Sequence, residues 1–195
     1  MVDERVKQAM ARWPTIPEAY GWLRLNRRGF WILDGYPLKH QRTIEFIARN
    51  YECDGSGCWY FQNGPQKVYV DLDYTPWIIH LDVEGQFVTH TGQILGDTEI
   101  HGAWLDDEGS MLLQLERGIA LLNDQDLITI LTRMVNQHDQ PLTEEDLSGF
   151  LTQKRSSESA LIFLRYGRQK MSVGWVESKR VCERFSFVQK PQPPE

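Results

Sequence analysis

Gly21-Trp22-Leu23-Arg24-Leu25-Asn26-Arg27-Arg28-Gly29-Phe30-Trp31-Ile32-Leu33 decides the fold, because a second stretch reads the same way. Gly102-Ala103-Trp104-Leu105-Asp106-Asp107-Glu108-Gly109-Ser110-Met111-Leu112-Leu113 has the same two short strands around a turn, with Leu-x-x-x-Gly at the same place. Gly29 can take the positive φ that a tight hairpin turn wants. Each hairpin leads through a glycine, Gly35 or Gly118, toward an amphipathic helix. A second hairpin follows each helix, turned by Gly64-Pro65-Gln66-Lys67-Val68 in one case and Gly167-Arg168-Gln169-Lys170 in the other. Internal similarity of this kind sets architecture before any single residue sets function. Short turns join nearly all the strand pairs, which favours antiparallel pairing. The reading is an α+β fold of two repeated β-β-α-β-β units, with mainly antiparallel sheets packed together.

Working outward, residues 20–95 form the first unit and 96–190 the second, with an inserted helix near 143–152. Each half sits near the lower size limit for a self-sufficient core, so the two should pack intimately. Residues 1–19 are a helical arm. Val6, Ala9, Met10 and Trp13 fall at i, i+3, i+4 and i+7, and this stripe has to dock on the body or, in a homodimer, on another chain. The spacing predicts helices over 40–51 and 124–135, the latter with Leu127, Ile128 and Leu131 inward. It also predicts strands over 160–166, 170–176 and 179–188. The Pro-rich residues 191–195 read as a disordered or extended tail.

The net charge is −6 with scattered Lys and Arg, which excludes a phosphate-backbone footprint and so disfavours nucleic acid. Arg24, Arg27 and Arg28 form the nearest thing to a basic cluster and read as solvated turn charges. No stretch reaches the length of a membrane span, and the charged start Met1-Val2-Asp3-Glu4-Arg5 carries no signal-peptide pattern. Three cysteines, Cys53, Cys58 and Cys182, suit a reducing compartment. The expectation is a cytoplasmic protein.

Catalytic and nucleotide-binding signatures are missing: no Gly-x-Ser-x-Gly, Gly-x-Gly-x-x-Gly or Walker loop occurs. His80 and His90 flank one hairpin turn but lack the further ligands that zinc needs, so no metal and no cofactor are expected. The densest polar constellation lies on the second hairpin of the first unit. Val68, Val70 and Leu72 point one way there, leaving Lys67, Tyr69, Asp71 and Asp73 on the wet face. Gln62, Asn63, Gln66, Asp71, Asp73 and Trp77 are the candidate binding residues, for a small molecule or a protein. Trp77 is chosen because so many tryptophans on strands should leave one lining a groove. The favoured reading is a non-enzymatic binding or regulatory module, with no catalytic residue assigned. The alternative is an enzyme using Asp71 or Asp73 as general acid or base on a small polar substrate.

The run Tyr60-Phe61-Gln62-Asn63-Gly64-Pro65-Gln66-Lys67-Val68-Tyr69-Val70-Asp71-Leu72-Asp73-Tyr74-Thr75-Pro76-Trp77, with Tyr20-Gly21-Trp22-Leu23 and Arg27-Arg28-Gly29 before it, resembles an uncharacterised family of proteobacterial proteins, a domain of unknown function. The resemblance covers nearly the whole chain. More distantly, the Gly-turned hairpin, helix and acidic hairpin end resemble another uncharacterised family, with a repeated-motif fold and a suggested role in signal transduction. The resemblance implies a duplicated α+β architecture in a Gram-negative cytoplasm and supplies no catalytic residue. Asn63, Pro65 and Asp71 correspond to Tyr166, Arg168 and Gly174 in the second unit, so a site on the first hairpin should occur once.

Overall fold

The computed structural model describes residues 16–152 and 162–193, together with 4, 7, 8 and 11. One sheet holds six strands: β1 (Ala19–Leu25), β2 (Trp31–Leu33), β3 (Tyr36–Pro37), β4 (Tyr51–Cys53), β5 (Trp59–Asn63) and β6 (Gln66–Leu72), in the spatial order β3-β2-β1-β6-β5-β4. The other holds β7 (Trp77–Leu81), β8 (Phe87–Thr89), β9 (Ile94–Leu95), β10 (Ile100–Asp106), β11 (Met111–Leu115), β12 (Gly118–Leu122), β13 (Met134–Asn136), β14 (Ile162–Tyr166) and β15 (Gln169–Val176). Their order is β13-β14-β15-β10-β11-β12-β7-β8-β9. Beyond the N-terminal arm, the α-helices among the described residues are α1 (Gln41–Arg49), α2 (Leu127–Leu131), α3 (Glu144–Thr152) and α4 (Val181–Arg184). None is long and apolar enough to cross a membrane. The class is mixed α+β with two sheets.

Most pairings are antiparallel, but β1 lies parallel to β6, β10 parallel to β15, and β12 parallel to β7. The order β12-β11-β10-β15-β14-β13 runs as β3-β2-β1-β6-β5-β4 does. Leu23 and Leu25 pair with Val70 and Leu72, and Ala103 and Leu105 pair with Val173 and Trp175. Such a parallel pair needs a long connection. Four strands and a helix lie between β1 and β6, four strands and two helices between β10 and β15, and four strands between β7 and β12.

Five turns share one construction. Asn26, Asp54, Asp82, Asp106 and Asn136 each accept, through Oδ1, the backbone N–H groups two and four residues on. The side chain thereby does what a backbone carbonyl would do in the turn. The fourth residue has positive φ: Gly29, Gly57, Gly85 and Gly109 in four of them, and Asp139 at φ 63 in the fifth.

Val68, Val70 and Leu72 are buried as the alternation requires, but Tyr69 is buried too. Tyr20 stacks on its ring at 4.5 Å, and its hydroxyl donates to Asp54 Oδ2 at 3.1 Å. The helix expected over 124–135 is shorter: a 3-10 turn, Asp124–Asp126, then α2, after which Met134 starts β13. Ile130 faces inward while Ile128 is exposed, so the inward face is rotated from the one the spacing suggested. A five-residue helix has too few turns to carry an amphipathic stripe. The helix near 143–152 forms; Thr143 and Asp146 close a reciprocal cap at its start. The strand expected over 179–188 is absent. β15 is already flanked by β10 and β14, and the chain leaves as a 3-10 turn and α4.

The chain then crosses to the first sheet. Val188 N–H donates to Gly57 O at 2.9 Å, and Leu72 N–H donates to Gln189 O at 2.8 Å. Pro191 is buried while Gln192 and Pro193 are exposed, and the last two residues of the tail expected over 191–195 lie outside the described residues. The seam between the halves is aromatic. Trp31, Tyr51 and Trp77 surround the His90 ring at 5.2, 5.6 and 5.5 Å. The arginines read as solvated turn charges are tied down: Arg27 donates to Ser110 Oγ at 2.9 Å and Arg28 pairs with Asp124 at 2.8 Å. The apolar stripe of the N-terminal arm lies outside the described residues; Glu4, Lys7, Gln8 and Ala11 are helical and exposed.

Candidate functional site

A bulge in β1 builds the site. Ala19 pairs with Val68 and Leu23 with Val70, so four steps along β1 match two along β6. Gly21, at φ 74, sits inside this irregularity. A bulge re-aims the residues beside it. Trp22, next to Gly21, is 70% exposed on a strand whose Leu23 and Leu25 are core residues.

Beside Trp22 lies a groove of about 530 Å³. Ala19, Leu33, Phe61 and Val68 give it an apolar lining, Tyr20 and Trp22 add aromatic rings, and Glu18, Asn63 and Gln66 add polar groups. Pro193 of the docked tail also lines it. Tyr20 donates its hydroxyl to Glu18 Oε2 at 2.6 Å. Burial, and after it this carboxylate, pushes the Tyr20 hydroxyl up to about 12, so it stays a donor at neutral pH. The corresponding place in β10 holds Gly102, which pairs with Gln114 just before Ala103, so the tryptophan is not repeated there.

The six sequence-predicted residues fall into three places. Asn63 and Gln66 join the groove, where Gln66 Nε2 donates to Pro17 O at 2.8 Å. Asp71 and Asp73 form a separate charged strip. Arg24 holds both oxygens of Asp73 at 2.9 Å. Burial raises the Asp71 carboxyl above its ordinary range, against the lowering influence of Lys190 and Arg24. Gln62 and Trp77 are interior. Gln62 Nε2 donates to Gly64 O at 3.0 Å, and Trp77, 6% exposed, donates Nε1–H to Arg117 O at 3.1 Å.

Trp77 packs in the seam and lines two other clefts, one with Thr89 and Leu115 and one with Tyr51 and Trp59; Trp22 is the exposed tryptophan, at the groove beside β1. Sequence reasoning missed Trp22, Tyr20 and Pro193. The available signal was Gly21 beside Trp22, since a glycine inside a strand pattern marks a bulge. His80 and His90 do not face each other: His80 pairs with Val88 and is exposed. His90 Nδ1 accepts Ile78 N–H at 3.3 Å, and burial pushes its imidazole down to about 3. Among the described residues no group of three or more His, Cys, Asp or Glu is placed to hold a metal ion.

Comparison with curated proteins finds no match. Solved structures similar to the chain include a DUF1285 family protein from Silicibacter pomeroyi DSS-3, at 16% identity and TM-score 0.47, covering 62% of this chain and 74% of that one. A DUF1285 family protein from Shewanella baltica OS155 is 19% identical, with TM-score 0.40, covering 55% of this chain and 88% of that one. The family model DUF2944, described as "Protein of unknown function (DUF2946)", matches residues 2–192. With the match running through both sheets and the docked tail, the chain belongs to this family of proteins of unknown function.

Proposed function

We propose that the protein is a non-enzymatic ligand- or partner-binding regulatory module of the cytoplasm, and that its site is the groove beside β1. The observation that carries this reading is Trp22, 70% exposed against a groove of about 530 Å³. Folding gains nothing from leaving a tryptophan in water on a central strand, whereas interfaces are enriched in this residue. Asn63 and Gln66 supply polar groups to fix orientation. We read the two sets of strands with matching order as duplicated β-β-α-β-β units, the first carrying the site and the second serving as its support. The shared order of β3-β2-β1-β6-β5-β4 and β12-β11-β10-β15-β14-β13 supports this.

The alternative, acid–base chemistry at Asp71 or Asp73, is less well supported. Arg24 ties up Asp73, and neither carboxyl lines the groove. The test is capture from native lysate by the full chain against Trp22→Ala, with thermal unfolding run in parallel. Loss of specific partners or metabolites at unchanged stability is expected. Capture unaffected by Trp22→Ala sinks the reading.

A further inference from the structure

We infer that the groove recognises proline-rich segments in extended, polyproline-like conformation, and that the chain's own tail is its resident occupant. The inference rests on the groove being the binding site and names what it takes. The tail reads Lys190-Pro191-Gln192-Pro193-Pro194-Glu195. It does not leave the body freely. Gln189 O is bonded to Leu72 N–H, Gln189 Nε2 donates to Tyr74 O at 3.2 Å, and Pro191 is buried. Two residues on, Pro193 lines the groove together with Tyr20 and Trp22.

Aromatic rings suit this ligand. Proline rings are flat apolar surfaces, and the polyproline conformation is pre-organised, so little entropy is lost on docking. It leaves its carbonyls unpaired, which calls for donors along the groove. Asn63 offers a side-chain amide there. The Tyr20 stack on Tyr69, with rings 8° from parallel, holds one aromatic wall rigid before any ligand arrives.

Pro193 accounts for one point of the lining. Trp22, Leu33 and Phe61 remain available to a longer segment. A partner in trans therefore either extends past the tail or displaces it. The tail is tethered, so it competes at the effective concentration of an intramolecular ligand. That makes it a built-in threshold against weak partners.

The experiment uses the full-length chain, isotopically labelled, and a synthetic decaproline peptide, with a glycine-serine peptide of equal length as control. Expected are shifts in the Trp22 indole and in the Phe61 and Asn63 amides with decaproline only. Pro191→Ala/Pro193→Ala should tighten binding several-fold by weakening the resident tail, and Trp22→Ala should abolish it. No shift with decaproline, even in the Pro191→Ala/Pro193→Ala chain, overturns the inference. So does a response of the same resonances to a peptide of residues 1–16 instead, which would make the occupant the apolar arm. In either case the Trp22-dependent capture described above still decides whether the groove is a binding site at all.

Discussion

Tyr74 donates its hydroxyl to Asp106 Oδ2 at 2.6 Å, joining the chain just after β6 to the turn between β10 and β11. Asp106 is fully buried, and its other oxygen already organises the turn through Glu108 and Ser110 N–H. Arg27 lies over the Tyr74 ring at 4.3 Å and reaches Ser110 and Glu108. Tyr74 is therefore shared by a turn of each half.

Tyr74→Phe keeps the ring under Arg27 and removes the donor. A buried carboxylate oxygen then loses its partner, which costs about 1–3 kcal/mol. Equilibrium urea unfolding should show that loss at unchanged slope. A change below about 0.5 kcal/mol would mean that water restores the bond.

The turns were legible in sequence because their chemistry is local. Asn26, Asp54, Asp82 and Asp106 each stand three residues before a glycine, and their carbonyl or carboxylate oxygens organise the intervening backbone. For the exposure of Trp22 the sequence carried only the hint of Gly21 beside it, not the pairing that realises it. The exposure depends on a register shift between β1 and β6, strands far apart in sequence. The course of residues 181–193 was hidden for a similar reason. What excludes a strand there is that both edges of β15 are occupied, and what docks the tail is Gly57 and Leu72 of the other half.

Gly174 is a further case of long-range fit. It pairs with Trp104 as Asp71 pairs with Arg24. A Cβ on Gly174 would collide with the Trp104 ring, and Arg184 packs on that indole at 4.0 Å. Gly174→Ala should destabilise by about 1–3 kcal/mol through overpacking. Trp104→Arg, which places at this pair the residue type that Arg24 gives the pair with Asp71, should recover much of this in the double variant. A purely additive double variant would show that the clash is absorbed elsewhere.

The faces of β6 separate folding from surface chemistry. Val70 is fully buried, so Val70→Ala should cost about 2 kcal/mol. Asp71→Asn should change stability by less than about 0.5 kcal/mol, since the residue is only half-buried and its charge is partly balanced. Chemical denaturation of the pair against the unaltered chain checks both. A large loss from Asp71→Asn would make the strip with Arg24 and Lys190 structural.

His90 should make the seam acid-sensitive. Its imidazole, pushed down to about 3 by burial, stays neutral in the folded chain where the unfolded chain takes up a proton near pH 6.5. The unfolded state binds more protons between those values, so stability rises with pH across that window and is fully present above about 6.5. Going down from pH 7, stability should fall through the window by at most about 1.4 kcal/mol per pH unit, until the folded form protonates as well. Protonation would also cost the Ile78 N–H its acceptor, Nδ1. His90→Gln removes the titration while keeping a polar side chain near Ile78. Urea midpoints measured from pH 7 to pH 4 should fall steeply in the unaltered chain and more gently in His90→Gln. Parallel curves for the two would mean that other groups govern the acid response.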